Sequence, residues 1–403
     1  MNENSSVMNY GRHKIDDKDI DAVTKVLRSE FLTTGPLVEK FENVLTRYFG
    51  NQNTVVCNNG TSALFLASKA LGVSTNDVVI VPSQTFLATA NAPHMLGAEV
   101  VFSDVDPDTG LLRAEDLLNA IHLARKRYPA KTLKAVFVVQ LNGQVAYMPE
   151  IWKLAKEHGC FVIEDACHAL GTSTNFEPKF GLKKVGGCEF SDAATFSFHP
   201  VKNITTGEGG AIAFREFKHA SLAKLYRNHG MNRQDLPGLD LSLLPAFSWS
   251  YVCEEPSLNF RLPDILCALG ISQIQKLPNW IDKRTQIWSL YEGLIADSGV
   301  AKLVKKEAWC EAAWHLQPVQ IEFEELGKSR VNVFKFLNQR SIFPQVHYQP
   351  VHLQPYWVGR YGRDGLPNAE SYFKKTMSLP LFVEMTKSNV QYVVETLMEA
   401  INS

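Results

Sequence analysis

Apolar residues return at spacings of three and four near the start of the chain. Ile20, Val23 and Leu27 fall on one face of residues 16–29, and Val38, Phe41, Leu45 and Phe49 on one face of the next stretch. That period predicts two amphipathic helices. The turn between them reads Leu32-Thr33-Thr34-Gly35-Pro36.

The pattern then changes to short apolar runs separated by helical stretches. Val79-Ile80-Val81, Val100-Val101-Phe102, Ala135 to Val139 and Phe161-Val162-Ile163 read as buried strands. Between the last two, Met148 to His158 reads as a helix with Ile151, Leu154 and Ala155 inward. Strand, helix, strand at this spacing predicts parallel βαβ units and an α/β fold. Chemistry in such sheets gathers at the carboxyl ends of the strands. Residues 232–256 form a long stretch rich in Leu, Pro and Ser, and long loops of this kind are often functional. A helix is predicted from Pro263 to about Lys276, after which helices and short strands mix. The division expected is a large domain over 1–275, whose first helices could pack on the other lobe, and a smaller α+β domain over 276–403.

A chain of 403 residues with 45% hydrophobic residues has enough apolar material for two lobes. Its 41 basic and 42 acidic residues nearly cancel, which argues against general nucleic-acid or anionic-membrane binding. The first residues are polar and lack an apolar signal core, so a cytoplasmic protein is expected. The seven cysteines form no C-x-x-C pair, and Cys160 and Cys167 straddle a predicted strand. Buried free thiols and no metal site are expected. Neither a dinucleotide-binding glycine fingerprint after a strand nor a P-loop occurs.

Three clusters sit where strands should end. Asn59-Gly60-Thr61-Ser62 turns into a helix N-terminus, which suits a phosphate or, as plainly, a simple helix cap. Glu164-Asp165-Ala166-Cys167-His168 puts carboxylates at a buried strand end, costly without a cation unless Asp165 caps a helix. In Ser197-Phe198-His199-Pro200-Val201-Lys202-Asn203-Ile204, the lysine has apolar neighbours that would desolvate it and favour the neutral, nucleophilic amine.

The motifs E-D-A-C-H-A-L-G at 164–171 and S-F-H-P-V-K-N-I-T-T-G-E-G-G at 197–210 together resemble the DegT/StrS-type sugar-nucleotide aminotransferases, and the likeness runs from Tyr10 to about Ile401. It implies a fold-type I PLP-dependent transferase with a large, mostly parallel sheet domain. Lys202 would hold pyridoxal 5′-phosphate (PLP) as a Schiff base and shuttle the proton. Asp165 would pair with the pyridinium nitrogen, and His168 would stand where the family has a Gln or His on the ring 3-hydroxyl. Ser197, Thr61 and Ser62 would bind the phosphate, Phe86 of Pro82-Ser83-Gln84-Thr85-Phe86 would stack on the ring, and Asn259 of Asn259-Phe260-Arg261 would reach the phosphate of a neighbouring subunit. A homodimer with shared active sites is therefore implied.

Two features depart from the family pattern. Tyr147 stands where an aspartate is common, and residues 172–190 carry a basic insert with Lys179, Lys183 and Lys184. Phe31-Leu32-Thr33-Thr34-Gly35-Pro36 and Val346-His347-Tyr348-Gln349-Pro350-Val351-His352 resemble most the UDP-4-amino-4,6-dideoxy-N-acetyl-β-L-altrosamine transaminases of pseudaminic acid synthesis. The implied substrates are a nucleotide-linked keto sugar and glutamate. Other nucleotides (dTDP or GDP) remain alternatives. Thr33, Arg261 and His347 are the candidates for substrate contact, each with a structural reading beside it. His352 and His199 lean further toward structure. A PMP-dependent sugar dehydratase is disfavoured because that branch replaces the lysine with histidine. A non-catalytic relative is disfavoured because every cofactor position is intact.

Overall fold

The computed structural model describes residues 7–176, 181–233, 249–296 and 298–403. Seven strands form the main sheet: β1 (Thr54–Cys57), β2 (Asp77–Pro82), β3 (Glu99–Ser103), β4 (Thr132–Val139), β5 (Phe161–Asp165), β6 (Ala193–Ser197) and β7 (Gly210–Phe214). Their spatial order is β1-β7-β6-β5-β4-β2-β3. Strands β3, β2, β4, β5 and β6 pair in parallel, and β7 alone runs against its neighbours β6 and β1. Alternate residues of β4 enter opposite cores, with Val136 and Val138 on one face and Ala135 and Phe137 on the other. Burial on both faces is why these strands read as unbroken apolar runs.

The helix α1 (Asp17–Leu27) forms as predicted, but its apolar stripe does not face inward. Ile20 and Leu27 are exposed, whereas Val26 and Asp19 are buried. Asp19 is drawn in by polar partners on α3 (Asp264–Ile274) and just beyond it. Gln273 Nε2 donates to Asp19 Oδ2 at 2.7 Å, and the Lys276 ammonium lies 2.8 Å from the same oxygen. A buried carboxylate paired through one oxygen has overridden the hydrophobic period here. The helix α2 (Pro36–Phe49) behaves as predicted, burying Phe41, Leu45 and Phe49. Phe41 packs so closely on Gly270 of α3 that a Cβ there would lie 2.4 Å from its ring. Asp264 accepts the Gly35 and Leu37 amides at 2.8 and 2.9 Å, fixing the start of α2.

The C-terminal lobe has its own core, built from Trp288, Tyr291, Val319, Leu337, Met377, Val393 and Leu397, and joined by Met8 from the other end of the chain. The division near residue 276 is crossed in both directions, because Val351 and Trp357 return to the core of the large sheet. In the insert, Ser173–Thr174, Lys183–Lys184 and Cys310–Glu311 form a small antiparallel sheet. Lys179 lies outside the described residues, as do 234–248 of the long loop; the remainder of that loop pairs Met231–Asn232 with Val252–Cys253.

Candidate active site

A cavity of about 620 Å³ opens at the carboxyl edge of the large sheet. Each strand that ends there contributes to its wall: Asn59, Gly60 and Thr61 follow β1, Thr85 and Phe86 follow β2, Asp165 to His168 end β5, and Ser197 to Lys202 follow β6. The C-terminal lobe closes the opposite side with Gln345, Val346, His347 and Tyr348, and Tyr10 arrives from the N-terminal segment.

The lysine loop is held from several sides. Phe198 and Ile204 are buried in the core, and the Thr205 hydroxyl donates to Phe198 O at 3.1 Å. The Asn203 amide donates to Leu170 O at 3.0 Å and to Ala313 O at 3.1 Å, so the loop is tied to both lobes. Lys202 itself is half-buried and lines the cavity. Among the described residues no hydrogen bond or ion pair engages its amine. Burial lowers the amine from its ordinary value, while Cys167 and Asp165 nearby pull the other way. Desolvation winning over charge favours the neutral amine.

Asp165 is buried and fully engaged. Thr89 Oγ1 donates to its Oδ2 at 2.6 Å and the Cys167 amide to its Oδ1 at 3.2 Å. Such donors fix the orientation of a carboxylate that would otherwise cost energy to bury. The neighbouring Glu164 points the other way and has a separate task. Ser191 Oγ and Gln140 Nε2 donate to it at 2.6 and 2.7 Å, and burial raises its carboxyl.

The turn after β1 is shaped by close approach. A Cβ at Gly60 would lie 2.9 Å from Ser197 Cβ and 3.2 Å from Cys167 Sγ, and one at Gly210 would lie 2.5 Å from Asn59 O. Only glycine lets these backbones meet and leaves an open cradle at the helix N-terminus. Thr61 and Ser197 line the cavity. Ser62 does not: its side chain is buried and its amide donates to Asn59 Oδ1 at 2.8 Å, so it acts in the helix cap. The exposed Phe86 overhangs the opening, its ring 5.8 Å from that of Tyr348.

These groups fit PLP. A desolvated amine that has no partner among the described residues, a fixed carboxylate, an aromatic at the mouth and a glycine cradle beside Ser197 and Thr61 match the aldehyde, ring nitrogen, ring face and phosphate of that cofactor.

His168 and His347 stand in the inner wall, with His315 packed against His168. The His168 and His315 ring centroids are 4.4 Å apart, and His168 and His347 are 6.4 Å apart. Burial, followed by the Lys202 charge, holds His168 and His315 well below the ordinary imidazole range and lowers His347 to about 3. All three are neutral at pH 7. His347 lines the cavity while its Nδ1 is bonded to Ser378 Oγ at 2.9 Å. His352 lies away from the cavity wall, bonded to Ser83 and 3.4 Å from Glu370. His199 is exposed at the rim.

Besides Ser62, three residues expected at the site are absent from the cavity wall of their own chain. Thr33 and Asn259 are exposed, and Arg261 lies in a separate surface groove with Thr34, Arg227 and Asn228. The Asn259 carboxamide oxygen accepts the Arg261 amide at 3.1 Å. Conversely, Tyr10, Thr89, Asn203, His315 and Tyr348 serve the site without having been singled out from sequence. Thr89 follows Thr85 by one helical turn directly after a strand end, a legible signal. Tyr10 and Tyr348 are brought in by tertiary packing alone.

Residues 13–398 match the model of the DegT/DnrJ/EryC1/StrS aminotransferase family. The chain is 34% identical over 397 residues to a UDP-4-amino-4,6-dideoxy-N-acetyl-beta-L-altrosamine transaminase of Campylobacter jejuni, covering 97% of this chain and 96% of that one. It is 32% identical over 402 residues to the spore coat polysaccharide biosynthesis protein SpsC of Bacillus subtilis, again covering 97% and 96%. Among solved structures, Helicobacter pylori PseC, an aminotransferase involved in the biosynthesis of pseudoaminic acid, superimposes with a TM-score of 0.87 at 27% identity over 98% of this chain and all of that one. The PLP-form of the putative sugar aminotransferase Spr1654 from Streptococcus pneumoniae gives a TM-score of 0.85 at 25% identity, covering 98% and 99% of the two chains. With the matched model spanning nearly its whole length, the chain belongs to the DegT/DnrJ/EryC1/StrS aminotransferase family and is a sugar aminotransferase.

Proposed function

We propose that this enzyme transfers the amino group of glutamate to the keto carbon of a UDP-linked 4-keto-6-deoxy-N-acetylhexosamine, with PLP held on Lys202. The observation that carries the reading is the half-buried Lys202 amine, unpaired among the described residues, in a cavity whose wall also holds the fixed carboxylate Asp165. When bound, PLP supplies an electron-accepting ring beside the carbon that gains or loses the amino group.

The chain's own groups do the rest. Asp165, aligned by Thr89 and the Cys167 amide, would keep a proton on the ring nitrogen by placing a negative charge against it. Lys202 Nζ, made less basic by burial, can take a proton from one carbon and return it to another within the same cavity. Gly60, Thr61 and Ser197 would anchor the phosphate, and Phe86 would limit the ring's movement. The UDP-sugar assignment draws support from the Campylobacter relatives, at 34% and 35% identity, whose names specify that substrate class.

The same reading includes a homodimer with shared sites. Thr33, Asn259 and Arg261 lie outside the cavity of their own chain, so a contribution to catalysis requires a second copy. A cytoplasmic location fits enzymes that consume nucleotide sugars; among the described residues no helix is long and apolar enough to cross a membrane. The test is a panel of UDP-, dTDP- and GDP-linked keto sugars incubated with glutamate and read by mass spectrometry. Conversion of the UDP-linked 4-keto sugar to its amino form is expected. Exclusive conversion of a dTDP- or GDP-linked sugar would overturn the nucleotide assignment.

A further inference from the structure

Three hydrogen bonds join Ser83 to the short stretch Val351-His352. The Val351 amide donates to Ser83 O at 2.9 Å and the His352 amide to Ser83 Oγ at 3.3 Å, while His352 Nδ1 lies 2.5 Å from the same hydroxyl oxygen. Beside them, Gln84 Nε2 donates to Tyr348 O at 3.1 Å. Ser83 is itself fixed to the large sheet, its amide donating to Ser103 O of β3 at 3.0 Å.

The protons of this set can be placed. The Glu370 carboxylate, 3.4 Å from His352 Nε2, can only accept. Burial lowers the imidazole from its ordinary value, so the ring is neutral at pH 7 and carries one N–H. That proton belongs on Nε2, facing Glu370, and Nδ1 accepts the Ser83 hydroxyl. Serine, imidazole and carboxylate in this order are also the parts of a hydrolytic nucleophile. Here that use fails for want of access: Ser83 and His352 are 0% and 2% exposed, and neither lines the cavity.

The set instead joins the two strips of chain that make the cavity mouth. Thr85 and Phe86 follow Ser83 directly, and His347 and Tyr348 shortly precede His352. The rings of Phe86 and Tyr348 face each other across 5.8 Å. On the reading above, the cofactor is anchored deeper, at Lys202, Asp165 and the Gly60 cradle, which leaves the mouth to the incoming sugar.

We propose that Ser83 and His352 form a latch that holds the two sides of the mouth together and thereby sets the fit of the nucleotide-linked sugar. Both are positioning residues, and Glu370 keeps the imidazole in the tautomer that accepts from Ser83. The proposal rests on the sugar reading above. A preorganised mouth favours bound substrate and transition state alike, so its loss falls on KM and spares kcat.

The experiment has two arms. The first measures kcat and KM of the cofactor-loaded enzyme with the UDP-linked 4-keto sugar and saturating glutamate. Ser83→Ala and His352→Leu should each raise the sugar KM about three- to tenfold, the size of one net hydrogen bond, with kcat within about twofold of the parent. His352→Asn puts an acceptor where Nδ1 stood and should recover most of the KM; His352→Gln reaches toward Glu370 instead and should not. The second arm follows hydrogen exchange in the cofactor-free chain. Peptides over 83–87 and 345–353 should exchange faster in Ser83→Ala and His352→Leu, and faster in His352→Gln than in His352→Asn, while the helix Pro36–Phe49 stays at the parent rate. An unmoved KM, a loss confined to kcat, or Asn no better than Gln would overturn the proposal. Parent-like exchange in both segments would overturn it whatever the substrate. Failure of the parent enzyme to convert the sugar would instead strike the substrate reading, and the exchange arm would still decide the latch.

Discussion

Thr89 Oγ1 donates a 2.6 Å hydrogen bond to Asp165 Oδ2, and Thr85 Oγ1 stands 2.7 Å behind it. One turn of helix thereby orients the carboxylate at the end of β5. Asp165→Asn keeps the shape and removes the charge. A carboxylate partner raises a cationic acid's pKa by about 1–3 units, so turnover should fall roughly ten- to a thousandfold. Thr89→Val keeps the charge and loses the alignment, and should cost less, near the ~1.5–3 kcal/mol of a hydrogen bond to a charged group. Steady-state kinetics and cofactor titration of both variants check the order. Near-normal turnover in Asp165→Asn would reduce Asp165 to a cap.

Gly60 is predicted to be intolerant of any side chain. Its Cβ would lie 2.9 Å from Ser197 Cβ, in a buried turn that must give way. Overpacking of this kind costs about 1–3 kcal/mol, and here it falls on the cradle. Gly60→Ala should fold, as seen by circular dichroism, yet bind PLP at least about tenfold more weakly by absorbance titration.

The buried histidines set a pH limit on the cofactor-free protein. His168, His315 and His347 are neutral in the fold and lie below the ordinary imidazole value of 6.5. The unfolded chain therefore binds more protons than the folded one in acid. Their contribution is fully present above about pH 6.5 and is lost as pH falls below it, by up to ~1.4 kcal/mol per pH unit for each histidine. For His347 the loss continues toward about pH 3. Denaturant melts from pH 8 to pH 5 should show this decline, and His347→Gln should flatten it. A stability that does not fall between pH 7 and pH 5 would contradict the burial of these rings.

Complementation between inactive variants is expected. Mixing Lys202→Ala with Asn259→Ala should form hybrid dimers in which one site has an intact lysine and an intact partner loop, so activity returns in part. Exchange of subunits without any return of activity, or an active monomer in sedimentation, would leave Asn259 with a local role only.

Much of this was legible in the chain. The parallel strands announced themselves through two-sided burial, and Asp165, Lys202, Ser197 and Thr61 fell at strand ends where such sheets keep their chemistry. The inward face of α1 was misread because Asp19 Oδ2 is paired with Gln273 and Lys276, a long-range arrangement that hydrophobic period cannot report. Ser62 was misread because helix capping and phosphate binding use the same backbone amides, and here Asn59 occupies one of them. Tyr10 and Tyr348 were invisible as site residues. They reach the cavity from segments more than 330 residues apart, through packing of the two lobes.

The central claim is that Lys202 carries the cofactor, and borohydride reduction tests it most directly. The purified enzyme loaded with PLP should absorb at about 410–430 nm, lose that band on reduction and yield a single labelled peptide containing Lys202. Lys202→Ala should yield no labelled peptide. A label on another lysine, or an unlabelled chain that still transfers amino groups, would contradict the account.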